Sequence, residues 1–141
     1  MGTTLDGAFA FVAEHNQGVL VTLRGDGRPQ LSNIYYGLAG GVFSISVTDT
    51  RAKVANLRRD PRASLWVPGE DFFQYVVFEG DVTLSDVAAS PSDAVADELV
   101  ELYRSIEGEH DDWASYRRSM VDDHRMVSRL TPTRSYGLWM S

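Results

Sequence analysis

Cysteine is absent from this 141-residue chain, and lysine occurs once, at Lys53. Without cysteine there is no disulfide, no thiolate nucleophile and no thiolate metal site, which fits a reducing compartment. Basic charge is scarce as well: 13 cationic residues face 20 acidic ones, for a formal net charge of −7. A nucleic-acid binder shows a basic stripe on a basic domain, so no nucleic-acid partner is expected. Long apolar runs are missing too. The stretch AFAFVA (8–13) is short and follows Asp6 rather than a cationic segment, the wrong flank for a secretory signal. Nothing approaches the length that crosses a bilayer, so we expect a cytoplasmic protein with no membrane insertion.

Motifs of self-contained catalysis are equally sparse. His15, His110 and His124 lack metal-ligand spacing, and the glycines at 25, 27, 37, 40 and 41 do not form a dinucleotide fingerprint. No G-x-S-x-G marks a nucleophile. EGEHDDW (107–113) is rich in oxygen ligands but lacks the spaced ligands and central glycine of a calcium loop. No metal site is expected, and no catalytic side chain is marked.

What is present is a patterned globular chain. Its length and 43% hydrophobic content suit one domain over residues 1–141. A short helix is predicted within 4–18, then a switch to period two. GVLVTLR (18–24) and RPQLSNIYYG (28–37) flank Gly25-Asp26-Gly27, a hairpin signal. VFSISVT (42–48) alternates Phe43, Ile45 and Val47 with Ser44, Ser46 and Thr48, giving one buried and one polar face. Asp49 or Thr50 is expected to cap a helix of about ten residues that ends before Pro61. Strands follow at 62–68 and 72–85, the second bending near Gly80.

Ser90-Pro91 then reads as a cap and first helical residue. Val95, Leu99, Leu102 and Ile106 give that helix one buried stripe. A second helix is predicted from about Asp112 to Val121, and strands at 125–130 and 134–140 close the chain. Residues 85–123 hold eleven acids against three arginines, net −8, the solvated face of a helical excursion. Seven short strands joined by short turns imply antiparallel pairing and a barrel.

One segment runs against the acidic trend. TRAKVANLRRDPRASLWV (50–67) holds Arg51, Lys53, Arg58, Arg59 and Arg62. Helix N-termini offer free N–H groups and partial positive charge, hence affinity for phosphate or carboxylate. Arg51 and Lys53 add a planar fork and a point charge there. An ordinary solvated helix explains these two residues equally well on this stretch alone. Arg58, Arg59 and Arg62 sit near the other end, where the helix dipole favours cations, and need no ligand. Gln30, Leu31, Ser32 and Asn33, with the polar face of 44–48, would add amide and hydroxyl groups if their strands lie side by side. A small barrel fills its own interior, so a large ligand must use an outer groove, for which a dimer is the natural source.

The stretches GVLVTLRGDGRPQLSNIYY, TRAKVANLRRDPRASLWV, YVVFEGDVTL, ELYRSIEGEHDDWASYRRSMV and the final YGLWM together resemble the split β-barrel flavin and deazaflavin oxidoreductases, the pyridoxamine 5′-phosphate oxidase-like superfamily. Within it the chain is most similar to coenzyme F420-dependent reductases of the B type. The resemblance implies a mainly antiparallel split β-barrel with a helical excursion before the last strands. It also implies a homodimer with two cofactor sites between subunits.

Carried over by position, Gln30, Leu31, Ser32 and Asn33 would lie against the ring of coenzyme F420, with FMN as the alternative cofactor. Ser46, Val47 and Thr48 would lie beneath the ribityl chain, and Arg51, Ala52, Lys53 and Asn56 at the phosphate and tail. Gln74 and Tyr75 of the second subunit would close the groove. The implied activity is hydride transfer to a small conjugated or quinone-like substrate. A non-catalytic flavin, deazaflavin or haem binder, or an FMN-dependent oxidase, shares the same pattern. Pyridoxamine phosphate oxidases proper also need substrate-phosphate arginines and a histidine near the C-terminus. LTPTRSYGLWMS keeps only Arg134 of that set.

Overall fold

Burial alternates along 17–23, 42–48 and 62–68 as the sequence period predicts in the computed structural model, which describes residues 4–139. Helix α1 (Leu5–Val12) is capped by Thr4, whose hydroxyl accepts from the Gly7 amide at 3.2 Å. Strands β1 (Gln17–Leu23) and β2 (Pro29–Tyr35) form the expected hairpin, with Gly27 in the left-handed region at φ 88°. Short β3 (Gly37–Ala39) and β4 (Val42–Thr48) form a second hairpin. Helix α2 (Ala52–Arg59) leads into β5 (Arg62–Pro68) and β6 (Tyr75–Leu84). Helices α3 (Ala94–Glu107) and α4 (Trp113–Asp122) precede the long β7 (Arg125–Leu138).

All seven strands belong to one sheet in the order β2-β1-β5-β6-β7-β4-β3, and each pairing is antiparallel. The sheet curls into a half-barrel. On its inner face Leu20, Phe43, Ile45, Leu65, Phe78 and Leu130 are fully buried, and α1 covers them with Ala8 and Val12. Phe9 stacks on Phe78 with ring centroids 5.3 Å apart. Truncating one such buried aromatic typically costs about 3–5 kcal/mol. On β7 the alternation serves two cores. Met126, Ser128 and Leu130 point inward, while Val127 joins Ala88, Leu99 and Met120 in a smaller cluster beneath α3 and α4.

Several boundaries differ from the sequence expectation, each for a local reason. The predicted strand 28–37 is cut at Tyr36. Its ring turns into the core, its amide donates to the Asn16 carbonyl at 2.8 Å, and its hydroxyl donates to the Val12 carbonyl at 3.3 Å. The last two predicted strands are one: the register shifts at Glu79/Gly80, so Gly80 faces Pro132 and Glu79 faces Arg134. That bulge lets a proline pass through the ladder. Gly80 has no alternative, because a Cβ there would lie 2.2 Å from the Thr131 carbonyl oxygen.

The expected cap Ser90 yields to Asp93. One oxygen of the Asp93 carboxylate accepts from Ala96 N at 2.8 Å, the other from Ala89 N at 2.8 Å and Ser90 N at 3.1 Å. These bonds, that from Ala96 foremost, hold its pKa below the usual aspartate range. Strand β6 begins at Tyr75, three residues late, because Asp71 to Gln74 make a turn that leaves Phe72 and Phe73 exposed.

Candidate functional site: an uncapped helix start at the split in the sheet

The chain passes from one sheet edge to the other between β2 and β3, through Tyr36. Strand β3 pairs only with Val42–Ser44, so the rest of β4 has a free edge facing β2. The two strands approach without forming a ladder. A cavity of about 550 Å³ opens in this gap, and α2 starts at its rim. Gln30, Ser32, Asn33 and Tyr35 of β2 line one side and Ser46 and Thr48 of β4 the other. Arg51, Ala52 and Lys53 stand at the helix start, and Arg125 of β7 completes the charged set. No carboxylate is among the lining residues; their charges are all cationic.

Neither Asp49 nor Thr50 caps α2, contrary to expectation. The cap position is Arg51, and no side chain accepts from the first-turn amides. The physical cause lies at the opposite end of the helix: Arg58 Nη2 donates to Asp49 Oδ1 at 2.5 Å and holds that carboxylate away. An unfilled N-terminus costs about 1 kcal/mol relative to a capped one. Each cation in the first turn opposes the dipole by roughly 0.3–1 kcal/mol. Lys53 records the environment: burial, then the neighbouring Arg51 and Arg125 guanidinium groups, push its pKa below the ordinary lysine value. An anion placed here would offset all three costs.

Behind the cavity runs a chain of polar contacts. Arg59 Nη2 donates to Asn56 Oδ1 at 3.0 Å, and Asn56 Nδ2 donates to Thr22 Oγ1 at 3.1 Å. Thr22 Oγ1 donates to Gln30 Oε1 at 3.1 Å, and Gln30 Nε2 donates to Ser32 Oγ at 3.2 Å. Thr22 and Asn56 are buried. The network fixes where α2 sits against β1 and which way the Gln30 amide faces.

Of the expected site residues, Gln30, Ser32, Asn33, Ser46, Val47, Thr48, Arg51, Ala52 and Lys53 meet at this one cavity. Leu31 does not line it and is 61% exposed. Asn56 supports the cavity from behind rather than lining it. Gln74 and Tyr75 of the same chain lie elsewhere, at the start of β6, where Gln74 closes the 69–74 turn and Tyr75 pairs with Leu138 and Pro68. Sequence reasoning missed Thr22, Tyr35, Ile106 and Arg125. Arg125 arrives through strand pairing alone: it opens the strand that pairs with β4, directly opposite Thr48.

The three histidines do not line this cavity, and no group of three or more candidate metal ligands occurs among the described residues. No described helix is long and apolar enough to cross a membrane.

Solved structures with this fold are numerous. An F420 reductase matches with TM-score 0.68 at 22% identity, over 91% of this chain and 94% of that one. A conserved hypothetical protein from Mycobacterium tuberculosis matches with TM-score 0.72 at 22% identity, over 98% and 91%. A heme binding protein from Mycobacterium smegmatis matches with TM-score 0.66 at 24% identity, over 93% of this chain and 52% of that one. At these identities the likeness speaks for the split-barrel fold. A sequence model described as pyridoxamine 5′-phosphate oxidase matches residues 6–138, and with nearly the whole chain matched, the protein belongs to that family.

Proposed function

We propose that the cavity holds the phosphate-bearing tail of coenzyme F420, and that the protein is a cytoplasmic F420-dependent reductase of small conjugated or quinone-like substrates. The observation that carries this reading is the meeting of Arg51 and Lys53 at an uncapped helix start, in a cavity without a lining carboxylate. The donor set suits a phosphate ester followed by carboxylates: an ammonium, two guanidinium groups, free helical amides and the hydroxyls of Ser46 and Thr48.

When bound, the deazaflavin supplies the hydride chemistry. The protein's part is binding and orientation. Lys53 and Arg51 neutralise the tail, and the Asn56–Thr22–Gln30–Ser32 network presents a fixed amide and hydroxyl to the ring side of the gap. A haem reading would have to use Tyr35 as axial ligand, since no histidine is among the cavity's lining residues. FMN shares the phosphate requirement and is the proper competitor in a test. Arg134, the one arginine of the final LTPTRSYGLWMS stretch, pairs with Glu79 at 3.0 Å.

The reading includes a homodimer. Leu31, Tyr35, Trp66, Tyr136 and Leu138 are exposed on the outer face of the sheet. The register aligns Val19, Trp66, Val77 and Tyr136 in one row across four strands. A second copy would cover this apolar face, and the resemblance implies that its Gln74 and Tyr75 close the groove. A monomer by light scattering at micromolar concentration would reject the shared groove.

The cofactor is tested by titrating apoprotein with F420 and with FMN under identical conditions, then assaying the tighter complex for hydride transfer. F420 is expected to bind more tightly; preference for FMN, or copurification with stoichiometric FMN, would overturn the assignment.

A further inference from the structure

Arg125 is the charged cavity residue that the helix start does not explain. It opens β7 opposite Thr48, and its Nη1 donates to Ser46 Oγ at 3.4 Å, a long contact. Its Nε is fully buried and has no hydrogen-bond partner. Buried donors without partners are rare in folded proteins. Four residues along the same strand, on the same face, Arg129 shows the ordinary arrangement: its Nε donates to Glu98 Oε2 at 2.7 Å. Arg125 makes no ion pair with a carboxylate among the described residues; Asp49 pairs with Arg58 and Glu98 with Arg129. It lies close enough to Lys53 to disfavour that ammonium's charge.

We propose that Arg125 is a second anion arm of this cavity, taking a negative group separate from the one held by Arg51 and Lys53. The site then selects ligands carrying two or more linked anionic groups over ligands carrying one. This deepens the cofactor-tail reading and rests on it only for the identity of the natural ligand. A planar guanidinium that lines the cavity and lacks a carboxylate partner suits a phosphoryl or carboxylate oxygen pair. The helix start beside it suits the first anion.

The test uses two plain probes, inorganic phosphate and pyrophosphate, titrated calorimetrically at low ionic strength into wild type, Arg125→Gln and Arg62→Gln. Wild type is expected to favour pyrophosphate. Arg125→Gln should lose roughly tenfold or more on pyrophosphate, the loss typical of one charge-assisted bond, and far less on phosphate, whose retained binding shows that the fold is intact. Arg62→Gln, which removes a charge outside the cavity, should change neither. Arg125→Met, which keeps the apolar stem, carries the same expectation should the Gln variant not fold.

Equal losses on both probes, no loss on pyrophosphate, or an equal loss in Arg62→Gln would overturn the proposal. Repeating the titration with F420 separates the two readings. Equal F420 affinity in wild type and Arg125→Gln removes the second arm and leaves the cofactor reading standing. Loss of pyrophosphate preference in Arg125→Gln, with no F420 binding by wild type, keeps the arm and removes the cofactor.

Discussion

The two ends of α2 carry the same kind of side chain under opposite conditions. At and just beyond the C-terminal end, Arg58, Arg59 and the first residue of β5, Arg62, each have a partner within the protein. Arg58 bonds Asp49, Arg59 donates to the Leu23 carbonyl at 2.6 Å and to Asn56, and Arg62 pairs with Asp60 at 2.8 Å. The helix dipole favours positive charge there. At the N-terminal end Arg51 and Lys53 make no ion pair with a described carboxylate. The dipole opposes them, and the nearest acid has been taken by Arg58. A helix optimised for stability would keep the cations at its C-terminal end and carry an acid or a capping side chain at the other. The difference teaches that charge count along a segment says little, and that local satisfaction of each charge separates scaffold from site.

Exchanging the character of the two ends gives the largest effects. Arg51→Ser places a capping hydroxyl at a residue whose φ −76° and ψ 151° already suit a cap. It should raise stability by about 1 kcal/mol while weakening F420 binding by tenfold or more, as expected for a lost charge-assisted contact. At the other end Arg59→Ala should do the opposite. It should lower stability by about 1 kcal/mol through the lost bonds and disturb binding only through the Asn56–Gln30 network. Thermal melts and F420 titrations on both variants check the pair; a loss of stability in Arg51→Ser would break the contrast.

A smaller effect should appear in the pH dependence. The free protein holds the Lys53 pKa below the ordinary lysine value, and a bound anion favours the charged form and raises it. Binding is therefore strongest where Lys53 is protonated in the free protein. It weakens as pH rises above that lowered value, before an unperturbed lysine would titrate. Lys53→Arg should remove this alkaline fall in affinity, measured by titration across the alkaline range.

Much of this was legible in the sequence because it rests on local pattern. The alternation of 42–48, the Gly25-Asp26-Gly27 turn and the bend at Gly80 are short-range consequences of period and backbone freedom, and the structure follows them. Of the expected site residues, Gln30, Ser32, Ser46 and Thr48 reach the cavity from those same strands. What was not legible depends on long-range competition. Asp49 looks like a cap until Arg58, nine residues on, claims it. Ser90 looks like a cap until Asp93 gathers three amides. Arg125 and Thr22 enter the site only through strand register and an interior network, which no spacing within the chain announces.

The central claim is that the N-terminal cations of α2 hold a cofactor phosphate and the C-terminal ones do not. It is tested most directly by the F420 dissociation constants of wild type, Lys53→Ala and Arg62→Ala, measured side by side. The account predicts a roughly ten- to hundredfold loss for Lys53→Ala, the worth of one charge-assisted hydrogen bond, with Arg62→Ala unchanged and both variants folded. Three equal constants would contradict it and make Lys53 an ordinary solvated lysine.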